Sequence, residues 1–150
     1  MPDTAADPTT LLPREAVHLG LATTDRDDAV RRVGQVLVDT GRVVPAYIDA
    51  MHEREAMISS ALGEGLAIPH GTDEGRVHIV RAGIAFLQFP DGIEWEDETV
   101  YVAIGIAAAA DEHLSVMATL AKVLVDPEAG ERLRTTDDVD EVLTLLAPEA

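Results

Sequence analysis

The 150-residue chain is 47% hydrophobic and 26% charged, enough apolar material for one domain with a core and too little length for two ordinary ones. Its 11 Lys+Arg against 28 Asp+Glu leave a formal net charge of −17, a field that repels phosphate backbones and anionic lipid heads, so nucleic acid and membrane insertion are excluded as primary roles. The absence of cysteine removes disulfides, thiolate metal sites and cysteine nucleophiles.

Residues 1–11 carry Pro, Thr and Asp without apolar periodicity and read as a flexible N-terminal tail, leaving 12–150 as the single domain. The acidic start lacks the basic and apolar regions of a signal peptide, and no apolar run reaches membrane-spanning length, so a cytoplasmic protein is expected. Glu15–Leu19 suggests a short strand. Thr24 or Asp25 then offers an N-cap to a helix from about Asp27, with Val30, Val33, Val36, Leu37 and Thr40 on one face and Gly41 as its stop. A second helix follows Val44 with Pro45 at its first position, Ile48, Met51, Glu55 and Ile58 falling along one stripe and His52 and Arg54 outside it.

Leu62-Gly63-Glu64-Gly65 reads as a glycine-rich loop, followed by the extended segment Leu66–Pro69 and then His70-Gly71. Ile79–Phe89 predicts a long buried strand closed by the turn Pro90-Asp91-Gly92, with Trp95 beyond it covering the sheet edge. Thr99–Ile106, apolar on both faces, predicts a central strand. A helix opening at Asp111 or Glu112 carries Leu114, Met117, Leu120, Ala121 and Leu124, and two short helices over about 127–134 and 138–147 complete the chain. Helices interspersed with short buried strands predict an α/β fold with helices on both sheet faces.

Histidines stand at 18, 52, 70, 78 and 113. His70 and His113 stand out because each falls where a strand gives way to a loop or helix, the usual place for sites in α/β sheets. Pro69 restricts the backbone before His70, and Gly71 after it allows close approach of another backbone or a phosphate. His18, His52 and His78 read as structural or solvated. A zinc site from His52, His70, His113 and an acid is conceivable, but no HExxH-like spacing supports it. No GxSxG supports a serine hydrolase. The remaining chemistry is histidine itself as nucleophile toward a phosphoryl group, a neutral imidazole near pH 7 helped by a cation and an orienting group. Arg54 and His113 are suited to those two roles.

The stretch Tyr47-Ile48-Asp49-Ala50-Met51-His52-Glu53-Arg54-Glu55 through Leu62-Gly63-Glu64-Gly65-Leu66-Ala67-Ile68-Pro69-His70-Gly71-Thr72 resembles the IIA components of the sugar phosphotransferase system, mannitol/fructose class. Phe89-Pro90-Asp91-Gly92-Ile93, Ile104-Gly105-Ile106-Ala107-Ala108 and Glu112-His113-Leu114 follow in the order of the mannitol-type branch, and the resemblance covers about residues 12 to 147. It implies a mixed β-sheet flanked by helices. It also implies that His70 accepts a phosphoryl group from the phosphocarrier protein HPr and passes it to a cysteine of the IIB component, and through it serves the IIC transporter. By the same resemblance His113 lies beside the phosphorylated ring, Arg54 balances the phosphate charge, and no cofactor or metal is required. The likeness departs at Ala108-Ala109-Ala110-Asp111, which replaces a more polar approach to the Glu-His pair. Acidity around His70 would suit a basic patch on HPr.

The competing reading is a regulatory IIA-like protein of the nitrogen type, whose histidine phosphorylation controls partners. Phe89–Ile93 and Glu112-His113 favour transport of mannitol or a related polyol. The chain ends soon after its last helix and is expected to be free-standing. A metal-dependent hydrolase built on the histidines ranks third.

Overall fold

A residue run that is apolar at both odd and even positions must be covered on two sides, and the chain places its strongest such run, 99–107, in the middle of a sheet. In the computed structural model, residues 11–23, 25–108, 116–118, 120–121, 123 and 125–146 are described. The five strands are β1 (Val17–His18), β2 (Ala61–Gly63), β3 (Leu66–Ala67), β4 (Gly83–Trp95) and β5 (Glu98–Ala107), in the order β1-β4-β5-β3-β2. β1 runs parallel to β4, β4 antiparallel to β5, β5 parallel to β3 and β3 antiparallel to β2, so the sheet is mixed and β5 is central.

Alternation along β4 and β5 divides their residues between the two faces of the sheet. Ile84, Phe86, Val102, Ile104 and Ile106 point to one face, where they meet Val116, Leu120, Leu133 and Val142 from the C-terminal helices. Ala85, Ala103 and Ala107 turn to the other, against α1 (Arg26–Asp39) and α2 (Ala46–Met57). Small residues on that second face let α1 lie close to the sheet. At Gly105 an added Cβ would stand 2.0 Å from Val33 Cγ1. Each fully buried Val, Leu, Ile or Phe contributes about 1.5–3 kcal/mol, and having helices on both faces is what allows so small an aromatic content to build a core.

Local signals explain the helix limits. Asp25 is the N-cap of α1, its carboxylate accepting the Asp28 N–H at 2.8 Å. Pro45 stands one residue before α2, in helical conformation. The buried face of α2 is Tyr47, Ala50, Met51 and Glu55, at spacings of three and four residues; Ile58 lies past the helix end and is exposed. Residues 116–118, 120–121 and 123 are helical, with Val116, Leu120 and Val123 buried and Ala121 exposed. The expected start of that helix at Asp111 or Glu112, and Leu114 and Leu124, lie outside the described residues, as does Thr24. Asp126 and Asp138 cap the last two helices, α3 (Pro127–Thr135) and α4 (Val139–Leu145).

Three strand expectations need correction. The long strand starts at Gly83, because Ile79 makes only an isolated bridge to Val43 and the following two residues are exposed. It also continues through Pro90-Asp91-Gly92: its register with β5 shifts between Gln88 and Ile93, and pairing resumes at Ile93 with Val100. Proline has no N–H to give a ladder, so it occupies the irregularity without ending the strand. The reversal comes later, at Glu96, with φ 59°. The glycine-rich stretch is a hairpin between β2 and β3, with Gly63, Glu64 and Gly65 all at positive φ. Arg134 Nη1 donates to the Glu64 carbonyl at 2.7 Å and ties the hairpin to α3.

Trp95 is fully buried, not a lid on the sheet edge. Its Nε1–H donates to Glu55 Oε2 at 2.8 Å, while the Ser60 N–H donates to the same oxygen at 2.8 Å and the Ser60 hydroxyl to Oε1 at 2.7 Å. A buried carboxylate is tolerable only when so satisfied, and this one fastens the end of α2 to β4 and to the start of the hairpin.

The expected tail over 1–10 lies outside the described residues. Leu11, also assigned to it, accepts the Ile84 N–H at 2.7 Å through its carbonyl. Among the described residues no helix is long and apolar enough to cross a membrane.

Candidate functional site

Beyond β3 the extended chain continues beside the central strand. The Ile106 N–H donates to the Pro69 carbonyl at 3.0 Å, His70 forms a parallel bridge with Ile106, and the Ile68 N–H donates to Ser60 at 3.0 Å. His70 therefore sits at the carboxyl end of a strand beside the centre of the sheet, the position its sequence context suggested. The ring is half-buried, and its Nδ1 lies 2.9 Å from the Ile68 carbonyl oxygen. A carbonyl can only accept, so Nδ1 carries a proton, and in the neutral ring the lone pair is on Nε2.

Tyr47, buried on α2, holds the next residue. Its hydroxyl donates to the Ile106 carbonyl at 3.0 Å and accepts the Gly71 N–H at 2.9 Å, bridging the loop to the central strand. Gly71 is required by this contact: a Cβ there would stand 2.7 Å from Tyr47 Cε1. The close approach that the glycine permits is thus that of the tyrosine ring.

Burial raises the Tyr47 phenol above its ordinary value, opposed by the Gly71 N–H and the charge of Arg76. The folded chain keeps the phenolic proton where the unfolded chain loses it. This stability is complete below pH ~10 and falls as pH rises toward the folded value. Tyr47→Phe leaves a half-buried N–H and a buried carbonyl without that bridge, and is expected to cost about 1–3 kcal/mol at neutral pH. Denaturant melts between pH 7 and 11 check both points, the variant showing a shallower alkaline decline than the parent.

Thr72 is buried and its hydroxyl accepts the Gly75 N–H at 3.1 Å, opening the 3-10 turn Glu74–His78. That turn lies against α2, where a Cβ on Gly75 would come within 2.5 Å of Ala50 Cβ. Between turn and helix is a pocket of about 420 Å³ lined by His70, Gly71 and Thr72, by Arg54 and Met57 of α2, and by Asp73, Glu74 and Arg76. Arg54 Nη1 donates to the Ile58 carbonyl at 2.9 Å, and Arg76 Nη2 stands 3.4 Å from Asp73 Oδ1. The lining thus sets two arginines against two carboxylates, a local balance unlike the −17 of the whole chain. It suits a partly neutralised anion presented to a histidine.

Two of the three expected site residues, His70 and Arg54, line this pocket; His113 lies outside the described residues. His52 is half-buried on α2 and does not line it. His18 is exposed on edge strand β1, its Nε2 3.1 Å from the Glu15 carbonyl oxygen. His78 ends the 3-10 turn, where its carbonyl accepts the Val44 N–H at 2.9 Å. Among the described residues no three His, Cys, Asp or Glu side chains could hold a metal ion together.

Sequence reasoning missed Tyr47 and Arg76. Tyr47 was discoverable as the first member of the i, i+4, i+8 series with Met51 and Glu55. Arg76 carried no signal, because only the 3-10 turn returns it to the pocket.

A family model described as the phosphoenolpyruvate-dependent sugar phosphotransferase system, EIIA 2, matches residues 10–148. A mannitol-specific EIICBA component from Vibrio cholerae is 42% identical over 139 residues, 91% of this chain, which spans 21% of that protein's length. A mannitol-specific phosphotransferase enzyme IIA component from Staphylococcus aureus is 36% identical over 132 residues, covering 88% of this chain and 92% of its own. Among solved structures, the complex of enzyme IIAMTL and phosphorylated enzyme IIBMTL from Escherichia coli matches with a TM-score of 0.85 and 39% identity, covering 93% of this chain and 100% of that one.

Proposed function

This chain belongs to the EIIA 2 family of the phosphoenolpyruvate-dependent sugar phosphotransferase system, and from that premise we propose that it is a phosphocarrier whose His70 takes a phosphoryl group from phospho-HPr and gives it to a cysteine of a IIB component. The observation that carries the reading is the Nδ1–Ile68 contact of His70, which directs the Nε2 lone pair to attack, at the wall of a pocket that also contains Arg54. In the first step Nε2 attacks phosphorus: an Nε2–P bond forms, the bond from phosphorus to the HPr imidazole breaks, and its electron pair returns to HPr. In the second, a IIB thiolate attacks the same phosphorus, a P–S bond forms and the pair returns to Nε2. The Nδ1 proton stays in place through both.

The residues mainly position the group and screen its charge. Arg54 is the proposed charge partner, with His113 beside the ring on the strength of the family likeness. A phosphorus–nitrogen bond of this kind is labile, which keeps the transfer reversible. Both named relatives, at 42% and 36% identity, are mannitol-specific components, which favours uptake of mannitol or a related polyol, with IIC served through IIB, over a nitrogen-type regulatory role.

Incubation with phosphoenolpyruvate, enzyme I and HPr is expected to place acid-labile label on the chain. Arg54→Ala is expected to slow onward transfer to IIB by roughly tenfold or more, the loss of one charge-assisted contact of about 1.5–3 kcal/mol, with an unchanged melting curve. Transfer kinetics equal to the parent's would remove Arg54 from the site.

A further inference from the structure

We infer that Arg76 is a second ligand of the phosphoryl group on His70, exchanging its contact with Asp73 for phosphoryl oxygens when the group arrives; the inference rests on His70 being the acceptor. Arg76 comes from a different element than Arg54, the 3-10 turn against α2, yet both line the one pocket with His70. The pocket holds about 420 Å³, and the guanidinium that borders it stands on a stem of rotatable bonds.

Its present contact is easily given up. At 3.4 Å the Arg76–Asp73 pair is longer than a charge-assisted hydrogen bond, and the two side chains are 37% and 85% exposed. An exposed pair of this kind contributes little to stability. Arg76 also lies near enough to Tyr47, whose hydroxyl holds the Gly71 N–H, for its charge to oppose the rise that burial causes in the phenol.

Charge supplies the reason for the exchange. A phosphoryl group brings roughly −1.5 to −2 charges near neutral pH into a pocket that already contains Asp73 and Glu74. Arg54, with one N–H committed to the Ile58 carbonyl, leaves that charge incompletely compensated. A second planar guanidinium, able to offer two parallel N–H groups, matches phosphoryl oxygens better than the single carboxylate oxygen it now faces. Asp73 is then a competitor that occupies Arg76 while His70 is unphosphorylated.

The exchange predicts opposite effects from two neighbouring substitutions. The full chain is brought to equilibrium with phospho-HPr, and the phosphoryl group is apportioned between the two proteins by 31P NMR. Arg76→Gln is expected to shift the distribution toward HPr by roughly tenfold or more, Arg76→Lys by less, and Asp73→Asn toward this chain by a few-fold. A residue that only assists docking alters the rate of approach and leaves the distribution unchanged. An Arg76→Gln distribution within twofold of the parent's, or an Asp73→Asn shift toward HPr, overturns the inference. If the parent takes no label on His70, the fault lies in the acceptor assignment, and the two failures are told apart by the parent alone.

Discussion

His70→Ala is expected to leave the chain unlabelled when it is incubated with phosphoenolpyruvate, enzyme I and HPr, while the parent gains acid-labile label. The loss should reach background, because the other described histidines are placed away from the pocket: His18 on the edge strand, His52 elsewhere on α2 and His78 at the far end of the 3-10 turn. The fold is expected to survive. The ring is half-buried and contributes the hydrogen bond from Nδ1 to Ile68, about 0.5–1.5 kcal/mol. Emission from Trp95, the chain's one tryptophan, offers the unfolding readout that separates an unfolded variant from one unable to accept phosphate. Label at the parent's level on a folded His70→Ala would dismiss the acceptor assignment and return attention to His113.

The second large effect is on stability and belongs to the middle of the sheet. Gly105→Ala puts a methyl group 2.0 Å from Val33 Cγ1 and 3.6 Å from Leu37 Cδ1. Val33 is fully buried, so α1 must lift from the sheet or the valine must leave its rotamer. Overpacking of this kind costs about 1–3 kcal/mol and occasionally more; in a chain of this length each kcal/mol lowers Tm by roughly 2–4 °C. Val33→Ala alone should also destabilise, on the order of 2 kcal/mol, by opening a cavity. Together the two changes remove both Val33 methyls and add one at position 105, in the space that Val33 Cγ1 leaves. Their combined cost is expected to fall short of the sum by about 1 kcal/mol or more, in denaturant melts of the two single variants and the double variant. Additive costs would mean that the α1 contact does not dictate glycine at this position.

The parts of the fold that could be read from sequence are those where hydrophobic period and capping agree. Asp25 with Val30, Val33 and Leu37 identifies α1, and the uninterrupted run through Val102, Ile104 and Ile106 identifies the central strand. Reading failed where a local turn signal met a longer-range constraint. Pro90-Asp91-Gly92 has turn chemistry, yet β4 passes through it because Ile93 and Trp95 are buried and must return to the pairing with β5. Leu62-Gly63-Glu64-Gly65 reads as a loop because its two strands are too short to show alternation. Trp95 was misplaced because its partner, Glu55, lies 40 residues away, and a carboxylate on a helix stripe does not tell which distant donor will satisfy it.

The site divides in the same way. His70 was legible from its Pro-His-Gly context, and Arg54 from the family likeness. Tyr47 and Arg76 depend on contacts across α2, the 3-10 turn and β5, which no local pattern reports. The neighbours of Gly71 make the point most directly: the missing Cβ is visible in sequence, but the ring that requires its absence is not.

The bridge from Gly71 through Tyr47 to Ile106 has a consequence for motion as well as for shape. Amides at the heart of a sheet exchange with solvent only when the whole domain opens, whereas hairpin tips exchange through local fraying. The backbone beneath the imidazole is joined to the first kind by the Ile106–Pro69 and Tyr47 bonds, and the nearby β2–β3 hairpin belongs to the second. The backbone that carries His70 is thus expected to exchange as slowly as the central strand, with the ring held in position before a phosphoryl donor of the proposed kind arrives.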